Sequence, residues 1–195
     1  MKKTRERDLT LLHEATATWG VAVAQFLVSN GADVNAKSDI GFTPLHAAIT
    51  TNANIEVTKF LISKGANVNA KMANGSTPLH LVAMHKDTAF AQALVSSGAD
   101  VNAKADGNTT PLHMAALAGN VDVFTFLASK GADVNTKSDF GVTPLHMAAL
   151  GGHMAVVRLL VAEKVDVNAK GSATKYCCRK FTASRCFECE KIFIA

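Results

Sequence analysis

The stretch GFTPLHAA at residues 41–48 decides the fold, because its central phrase returns at an almost constant spacing. TPLH occurs at residues 43–46, 77–80, 110–113 and 143–146. Successive copies begin 34, 33 and 33 residues apart, and a weaker copy, TLLH, lies another 33 residues earlier at residues 10–13. A fixed period of about 20–50 residues is typical of proteins built from stacked structural units.

A second phrase keeps the same period. GADVNAK at residues 31–37 returns with small changes at 65–71, 98–104, 131–137 and 164–170. Thr before Pro suits a helix N-cap followed by the first helical residue, and the glycine stands where a helix ends in a left-handed residue. Val121, Phe124 and Leu127 recur at helical spacing between the two phrases. Each period therefore predicts two short helices and a polar, hairpin-like loop.

The phrases GxTPLHxAA and GADVNAK resemble the ankyrin-repeat family over about residues 10–170. The resemblance implies an all-α ankyrin-repeat solenoid of about five stacked helix-turn-helix repeats with projecting hairpin loops. We expect a polar lead at residues 1–9 and repeats at about 8–37, 41–71, 75–104, 108–137 and 141–170. Residues 171–195 are expected to form a Cys-rich, basic and poorly ordered tail.

The net charge of +4 is concentrated at the ends of the chain. Residues 1–8 carry four basic and two acidic groups, and residues 171–195 carry five basic and two acidic groups. The net charge of the residues between them is therefore −1. Without a basic surface in the repeats, no nucleic-acid partner is expected. No apolar run approaches the roughly 18 residues of a membrane span, so we expect no transmembrane segment.

Cysteine usage predicts an intracellular protein. All four cysteines fall between residues 177 and 189, so no disulfide can connect two repeats. The absence of disulfides from the repeats suits a reducing compartment. Asp8, His13 and Glu14 interrupt what would be the apolar segment of a signal peptide. We expect a cytoplasmic location, with the nucleus as the alternative.

Five of the seven histidines belong to the repeated motif, including His46 in the opening stretch. A catalytic residue is normally needed once, whereas this one recurs beside every motif turn, so we interpret it as structural. His85 and His153 fall outside the periodic set and are interpreted as solvated side chains. We find no catalytic or cofactor-binding residue, and we predict a protein that is not an enzyme and uses no cofactor.

In ankyrin proteins, partners usually bind the concave face that loop tips and first helices form. The resemblance therefore implies a non-catalytic scaffold or adaptor that binds another protein, and we expect the chain to be monomeric. The predicted partner-binding residues are Asp39, Ile40, Phe42, Asn74, Ser76, Met84, Asp106, Thr109, Leu117, Asp139, Phe140, Val142 and Leu150. The apolar residues at the loop tips either form this binding face or fold onto the adjacent repeat and complete the core.

The tail leaves several interpretations open. Cys186 and Cys189 make one CxxC half-site for zinc, and Cys177 and Cys178 lie among basic residues where palmitoylation occurs. A regulated peripheral membrane or zinc-dependent module acting through these cysteines is the alternative function. The tail is otherwise an eroded or disordered end, or its apolar finish, IFIA, lies on the exposed flank of the fifth repeat.

Overall fold

A computed structural model describes residues 9–50, 54–85 and 87–172. The α-helices of these residues are α1 (Leu11–Glu14), α2 (Val21–Ser29), α3 (Pro44–Thr50), α4 (Ile55–Ser63), α5 (Pro78–Ala83), α6 (Thr88–Ser96), α7 (Pro111–Ala118), α8 (Val121–Ser129), α9 (Pro144–Leu150) and α10 (Met154–Ala162). A π-helical turn (Ala15–Trp19) follows α1, and a 3-10 turn (Asp106–Asn108) precedes α7. Apart from one isolated bridge, the described residues contain no β-structure, so the all-α prediction is confirmed for them. All four cysteines lie outside this part of the chain.

In each copy of TPLH, the first helix begins at the threonine-proline pair, as predicted. Thr110 precedes α7 with an extended backbone (φ −106°, ψ 164°) and caps it, and Pro111 takes the first helical position. The Thr110 side chain pairs with the backbone at the third helical position, and the His113 side chain returns to the Thr110 backbone. Such a capping box satisfies N–H groups that have no partner inside the helix.

The second helix of each repeat ends in a left-handed residue. Gly131 follows α8 with a φ of 88°, and the Ala132 N–H donates to the Leu127 carbonyl at 3.0 Å. Lys164 occupies the corresponding position after α10 and has a φ of 58°. A side chain in this region costs roughly 1–2 kcal/mol relative to glycine, so the fifth repeat ends less favourably.

The described residues form two compact units. The first unit comprises residues 9–82 and 87–100, and in it α4 packs against α2, α3 and α6. Its buried apolar side chains include Leu12, Leu45, Ile49, Val57, Leu61, Leu79, Phe90 and Leu94. Thr58 is also fully buried, and its hydroxyl has no hydrogen-bond partner. Burying an unpaired hydroxyl destabilises the second repeat.

The second unit comprises residues 83–85 and 101–172. In it α7 packs against α8 and α9, and α10 packs against α8 and α9. Its buried apolar side chains include Leu112, Val123, Phe124, Leu127, Met147, Val156 and Leu160. The exact limits predicted for the repeats and for the terminal segments stay predictions.

Asn35 and Asn102, in two of the DVNAK phrases, connect successive loops within a unit, a role that the sequence did not predict. In the first unit, Asn35 Nδ2 donates to the Gly65 carbonyl at 3.0 Å, and Asn35 Oδ1 accepts from the Asn67 N–H at 2.7 Å. In the second unit, Asn102 makes the same two bonds, to Gly131 and Asp133, at 3.0 and 2.9 Å. One amide side chain thus satisfies a donor and an acceptor of the following repeat.

Truncating Leu112 tests whether the first helices form the core. Leu112 is 1 % exposed, so Leu112→Ala removes buried apolar volume and is expected to lower the free energy of unfolding by about 2–5 kcal/mol. Urea unfolding followed by circular dichroism measures this change. Thr125→Ala, at an exposed position of α8, is the control and should change stability by less than about 0.5 kcal/mol. Equal effects of the two substitutions would contradict the packing described for the second unit.

Candidate functional site

Two of the motif histidines, His13 and His113, use both ring nitrogens in structural hydrogen bonds. Nδ1 of His113 accepts from the Thr110 N–H at 3.2 Å and lies 3.0 Å from the Thr110 hydroxyl. Because an N–H group points at Nδ1, this nitrogen carries no proton, and Nε2 is the one that donates. Nε2 of His113 lies 2.9 Å from the Val142 carbonyl, and Nε2 of His13 lies 2.9 Å from the Phe42 carbonyl. The histidine therefore caps one repeat and binds the loop of the next.

His46 shows what this environment does to protonation. Its Nδ1 accepts from the Thr43 N–H at 3.2 Å, and the whole side chain is buried. Burial is the largest cause that lowers the pKa of His46 from 6.5 to about 4, and the neighbouring His13 contributes in the same direction. Nε2 has no hydrogen bond of standard geometry. The nearby backbone of Ser76 raises the pKa of His46 and so opposes part of the effect of burial. Burial likewise lowers the pKa of His146.

Two predicted loop-tip residues, Phe42 and Val142, turn inward and are not available to a partner. Phe42 is 8 % exposed, and its ring stacks between His13 and His46 at centroid distances of 6.2 and 5.6 Å. Val142 is fully buried. The expectation that these two side chains are exposed was wrong, and the alternative that they complete the core holds for both.

A buried serine explains the inward turn. Ser38 N–H donates to the Phe42 carbonyl at 2.9 Å, and Ser38 Oγ accepts from the Phe42 N–H at 3.2 Å. Ser138 makes the same pair of bonds with Val142, at 2.9 and 3.2 Å. These bonds close each loop and direct Phe42 or Val142 towards the core. The residues at the tips of the loops, such as Ile40 and Phe140, remain partly exposed.

The remaining predicted site residues separate by exposure. Asp39, Asn74, Met84, Asp106 and Asp139 are exposed, and Ile40, Ser76, Leu117 and Phe140 are partly exposed.

Thr109 and Leu150 are buried, at 1 % and 9 % exposure, which corrects the interpretation of both as surface residues. Thr109 Oγ1 donates to the Asp106 carbonyl at 3.1 Å, so its side chain closes the 3-10 turn instead of facing solvent. Leu150 ends α9 and packs in the second unit.

Neighbouring loop tips are joined by backbone hydrogen bonds within each unit. The bonds run from Ala73 N–H to the Ile40 carbonyl (2.8 Å), from Asp139 N–H to the Gly107 carbonyl (3.0 Å) and from Ser172 N–H to the Phe140 carbonyl (3.0 Å). The approach is close, since a Cβ added at Gly41 would lie 2.9 Å from the Lys71 carbonyl oxygen. In the second unit, an Asn108–Asp139 side-chain hydrogen bond adds to the contact between Asp139 and Gly107. The backbones of these tips are consequently held by hydrogen bonds within each unit.

In the second unit, side chains at the start of the second helices hold the ends of first helices. Asn120 Nδ2 donates to the Ala83 and His85 carbonyls at 2.8 and 2.9 Å, on either side of Met84. His153, one period later, places Nε2 2.9 Å from the Leu117 carbonyl. The interpretation of His153 as a solvated side chain was therefore wrong. Gly151 is needed beside it, because a Cβ there would lie 2.4 Å from the His153 ring.

No other chemical site emerges from the described part of the chain. It contains no group of three or more His, Cys, Asp or Glu side chains that could hold a metal ion. A cavity of about 170 Å³ lies in the second unit between the last two loops, beside Lys137, Thr143 and Asp166. Pockets for drug-sized ligands occupy roughly 300–1,000 Å³, so this cavity is smaller than such a pocket.

Among residues 9–50, 54–85 and 87–172, no helix has the length and apolar character that crossing a bilayer requires. The zinc and palmitoylation predictions lie outside these residues.

Comparison with known families gives matches along most of the chain. Residues 1–72 and 52–138 match a family model described as ankyrin repeats (3 copies). Residues 127–175 match a model described as ankyrin repeats (many copies). Comparison with curated proteins gave no match.

The buried, neutral state of His46 predicts acid sensitivity. Its pKa is about 4 in the folded protein and 6.5 in the unfolded chain, so the unfolded chain takes up the proton first as the pH falls. The free energy of unfolding should therefore decrease between about pH 6.5 and pH 4, by up to about 3 kcal/mol from this group. Urea unfolding at a series of pH values measures the slope.

His46→Gln is the control for this prediction, because glutamine occupies the site without titrating. The variant should be less stable at neutral pH and should lose a large part of the slope. His146, whose pKa is also lowered, contributes in the same direction and remains in the variant. An unchanged slope in His46→Gln would contradict the role given to His46.

Proposed function

Because the chain belongs to the ankyrin-repeat family, whose repeats are generally protein–protein interaction modules, we propose that it is a non-catalytic scaffold or adaptor. It binds a partner protein through the loop tips and first helices, which form the concave face of ankyrin arrays. The function lies in the side chains that vary on this face, since the repeated framework is shared by proteins with many different partners.

The observation that carries the proposal is the loop tip at Asp139 and Phe140. The Asp139 N–H bonds to Gly107, and the Phe140 carbonyl accepts from Ser172, so the tip backbone is held on both sides. Phe140 is left partly exposed on this rigid support. A preorganised aromatic side chain loses little conformational freedom on binding, and such residues dominate the energetics of interfaces.

The first unit presents a similar arrangement with an aliphatic residue. Ile40 is partly exposed and its carbonyl is bonded to the Ala73 N–H at 2.8 Å. Asp39 beside it is exposed, as Asp139 is beside Phe140. Apolar side chains flanked by carboxylates favour a partner that offers apolar anchor residues and a basic rim.

The hydrogen bonding of the motif histidines supports a non-catalytic function. A general base needs a ring nitrogen that can reach a substrate. In His13 and His113, one nitrogen faces a threonine N–H and the other a backbone carbonyl, and both rings are buried. These histidines stabilise the repeats and leave no nitrogen for chemistry.

The compartment and the assembly state are part of the same proposal. The chain acts inside the cell, in the cytoplasm or the nucleus, because the only cysteines are the four between residues 177 and 189 and the repeats need no disulfide. It acts as a monomer towards its partner.

Replacing the loop-tip aromatic tests the binding face. Phe140→Ser removes the proposed anchor from a partly exposed position and should lower the affinity for a specific partner at least about tenfold. Partners are identified by co-purification with the intact chain, and the dissociation constant is then measured by calorimetry. Ile40→Ser tests the first unit in the same way.

The matched control is Phe26→Ser, which makes the same change at a 68 % exposed position of α2, away from the loop tips. Thermal unfolding must show that all three variants are folded. If Phe140→Ser and Ile40→Ser bind every specific partner as tightly as Phe26→Ser does, the loop tips are not the binding face.

A further inference from the structure

The sequence contains two Asn–Gly pairs, Asn30–Gly31 and Asn74–Gly75. Asparagine is chemically labile when the backbone nitrogen of the next residue can reach its side-chain carbonyl carbon. Glycine leaves that nitrogen accessible because it has no Cβ. Both asparagines are exposed and both belong to the first unit, but their carboxamide groups point in opposite directions along the chain.

The carboxamide of Asn74 is directed forward along the chain. The Ser76 N–H donates to Asn74 Oδ1 at 3.0 Å. Such an Asx turn brings the side-chain carbonyl carbon towards the Gly75 nitrogen, because this nitrogen lies between the two bonded residues. The same N–H group also stabilises the negative charge that develops on the oxygen when the nitrogen attacks the carbonyl carbon.

The carboxamide of Asn30 is directed backward and is held away from its glycine. Asn30 follows α2, and its Nδ2 donates to the Phe26 carbonyl at 2.8 Å, one helical turn earlier. This bond must break and the side chain must rotate before its carbonyl carbon can meet the Gly31 nitrogen. Because reaction depends on holding the two atoms in an attacking geometry, the bond to Phe26 protects Asn30.

The glycine nitrogens themselves do not favour Asn74. The Gly75 N–H donates to the Met72 carbonyl at 2.8 Å, and the Gly31 N–H donates to the Val28 carbonyl at 3.1 Å. Both bonds must open before the nitrogen attacks, and the bond at Gly75 is the shorter of the two. The orientation of the asparagine side chains therefore decides which pair reacts.

We infer that Asn74 is a site of spontaneous deamidation and that Asn30 is protected from it. The Gly75 nitrogen bonds to the side-chain carbonyl carbon of Asn74, and its proton leaves with the carboxamide nitrogen as ammonia. The product is a cyclic succinimide, which water then opens at either of its carbonyl groups. One opening gives aspartate, and the other gives isoaspartate, in which the main chain runs through the former side chain.

The reaction changes the charge of a loop tip. Asn74 occupies the position that Ile40 and Phe140 occupy in their loops, and the Ala73 N–H is bonded to the Ile40 carbonyl. Deamidation adds a carboxylate here, next to a tip that already carries the exposed Asp39. A more acidic tip favours a basic partner more strongly. This consequence rests on the proposed function, whereas the deamidation itself does not.

Isoaspartate mapping of the full chain tests the inference without a partner. The protein is incubated in mildly alkaline buffer, and isoaspartate is labelled with protein isoaspartate methyltransferase and located by mass spectrometry of tryptic peptides. In the native protein, isoaspartate should accumulate at least about tenfold faster at position 74 than at position 30. In the urea-denatured chain, where the bonds to Ser76 and Phe26 are lost, the two rates should become similar.

Two matched substitutions assign the label. Asn74→Gln should remove most of the isoaspartate of the native protein, because glutamine has to close a larger ring and reacts more slowly. Asn30→Gln is the control and should leave the label unchanged. Both positions are exposed, so both variants should remain folded, which circular dichroism checks.

Two results would overturn the inference. Equal or inverted rates at positions 30 and 74 in the native protein would show that the side-chain hydrogen bonds do not control the reaction. Isoaspartate that forms at position 74 only in urea would show that the folded loop prevents the attack of the Gly75 nitrogen.

Discussion

The structure depends on a neutral histidine that serves two repeats at once. Nδ1 of His113 accepts from the backbone N–H that starts its own helix, and Nε2 reaches the Val142 carbonyl 29 residues later. His13 and Phe42 are separated by the same 29 residues. A protonated ring would place a second N–H against the threonine N–H, so the interaction exists only in the uncharged form. Burial keeps His46 uncharged, which is why the pKa of this residue is lowered.

Rigidity of the loops follows from these bonds. The carbonyl that accepts from the histidine belongs to the residue that the buried serine, Ser38 or Ser138, draws inward. Asparagine side chains and backbone bonds between the tips complete the connection within each unit. The exposed residues at the tips can therefore vary without disturbing the fold, which suits a protein whose function is to bind a partner.

Much of the local structure could be predicted, whereas the direction of the site residues could not. The Thr-Pro starts and the glycine ends of the helices depend on bonds within a few residues, and the period locates them. Phe42 and Ile40 lie two residues apart in one turn, and hydropathy marks both as candidates for a binding face. Only the Ser38 bonds and the stacking on His13 and His46 show that Phe42 belongs to the core. His153 was misjudged because its acceptor, Leu117, is 36 residues away.

The sequence by itself determined the all-α fold, the helix boundaries set by capping residues and the structural role of the motif histidines. Each of these rests on contacts within about four residues along the chain or on a repeated period, both of which are visible in the letters. Tertiary structure decided which loop side chains are buried and what Asn35 and Asn102 bind. These outcomes depend on partners about one repeat away, and the period places such partners in neighbouring units without specifying where a side chain points.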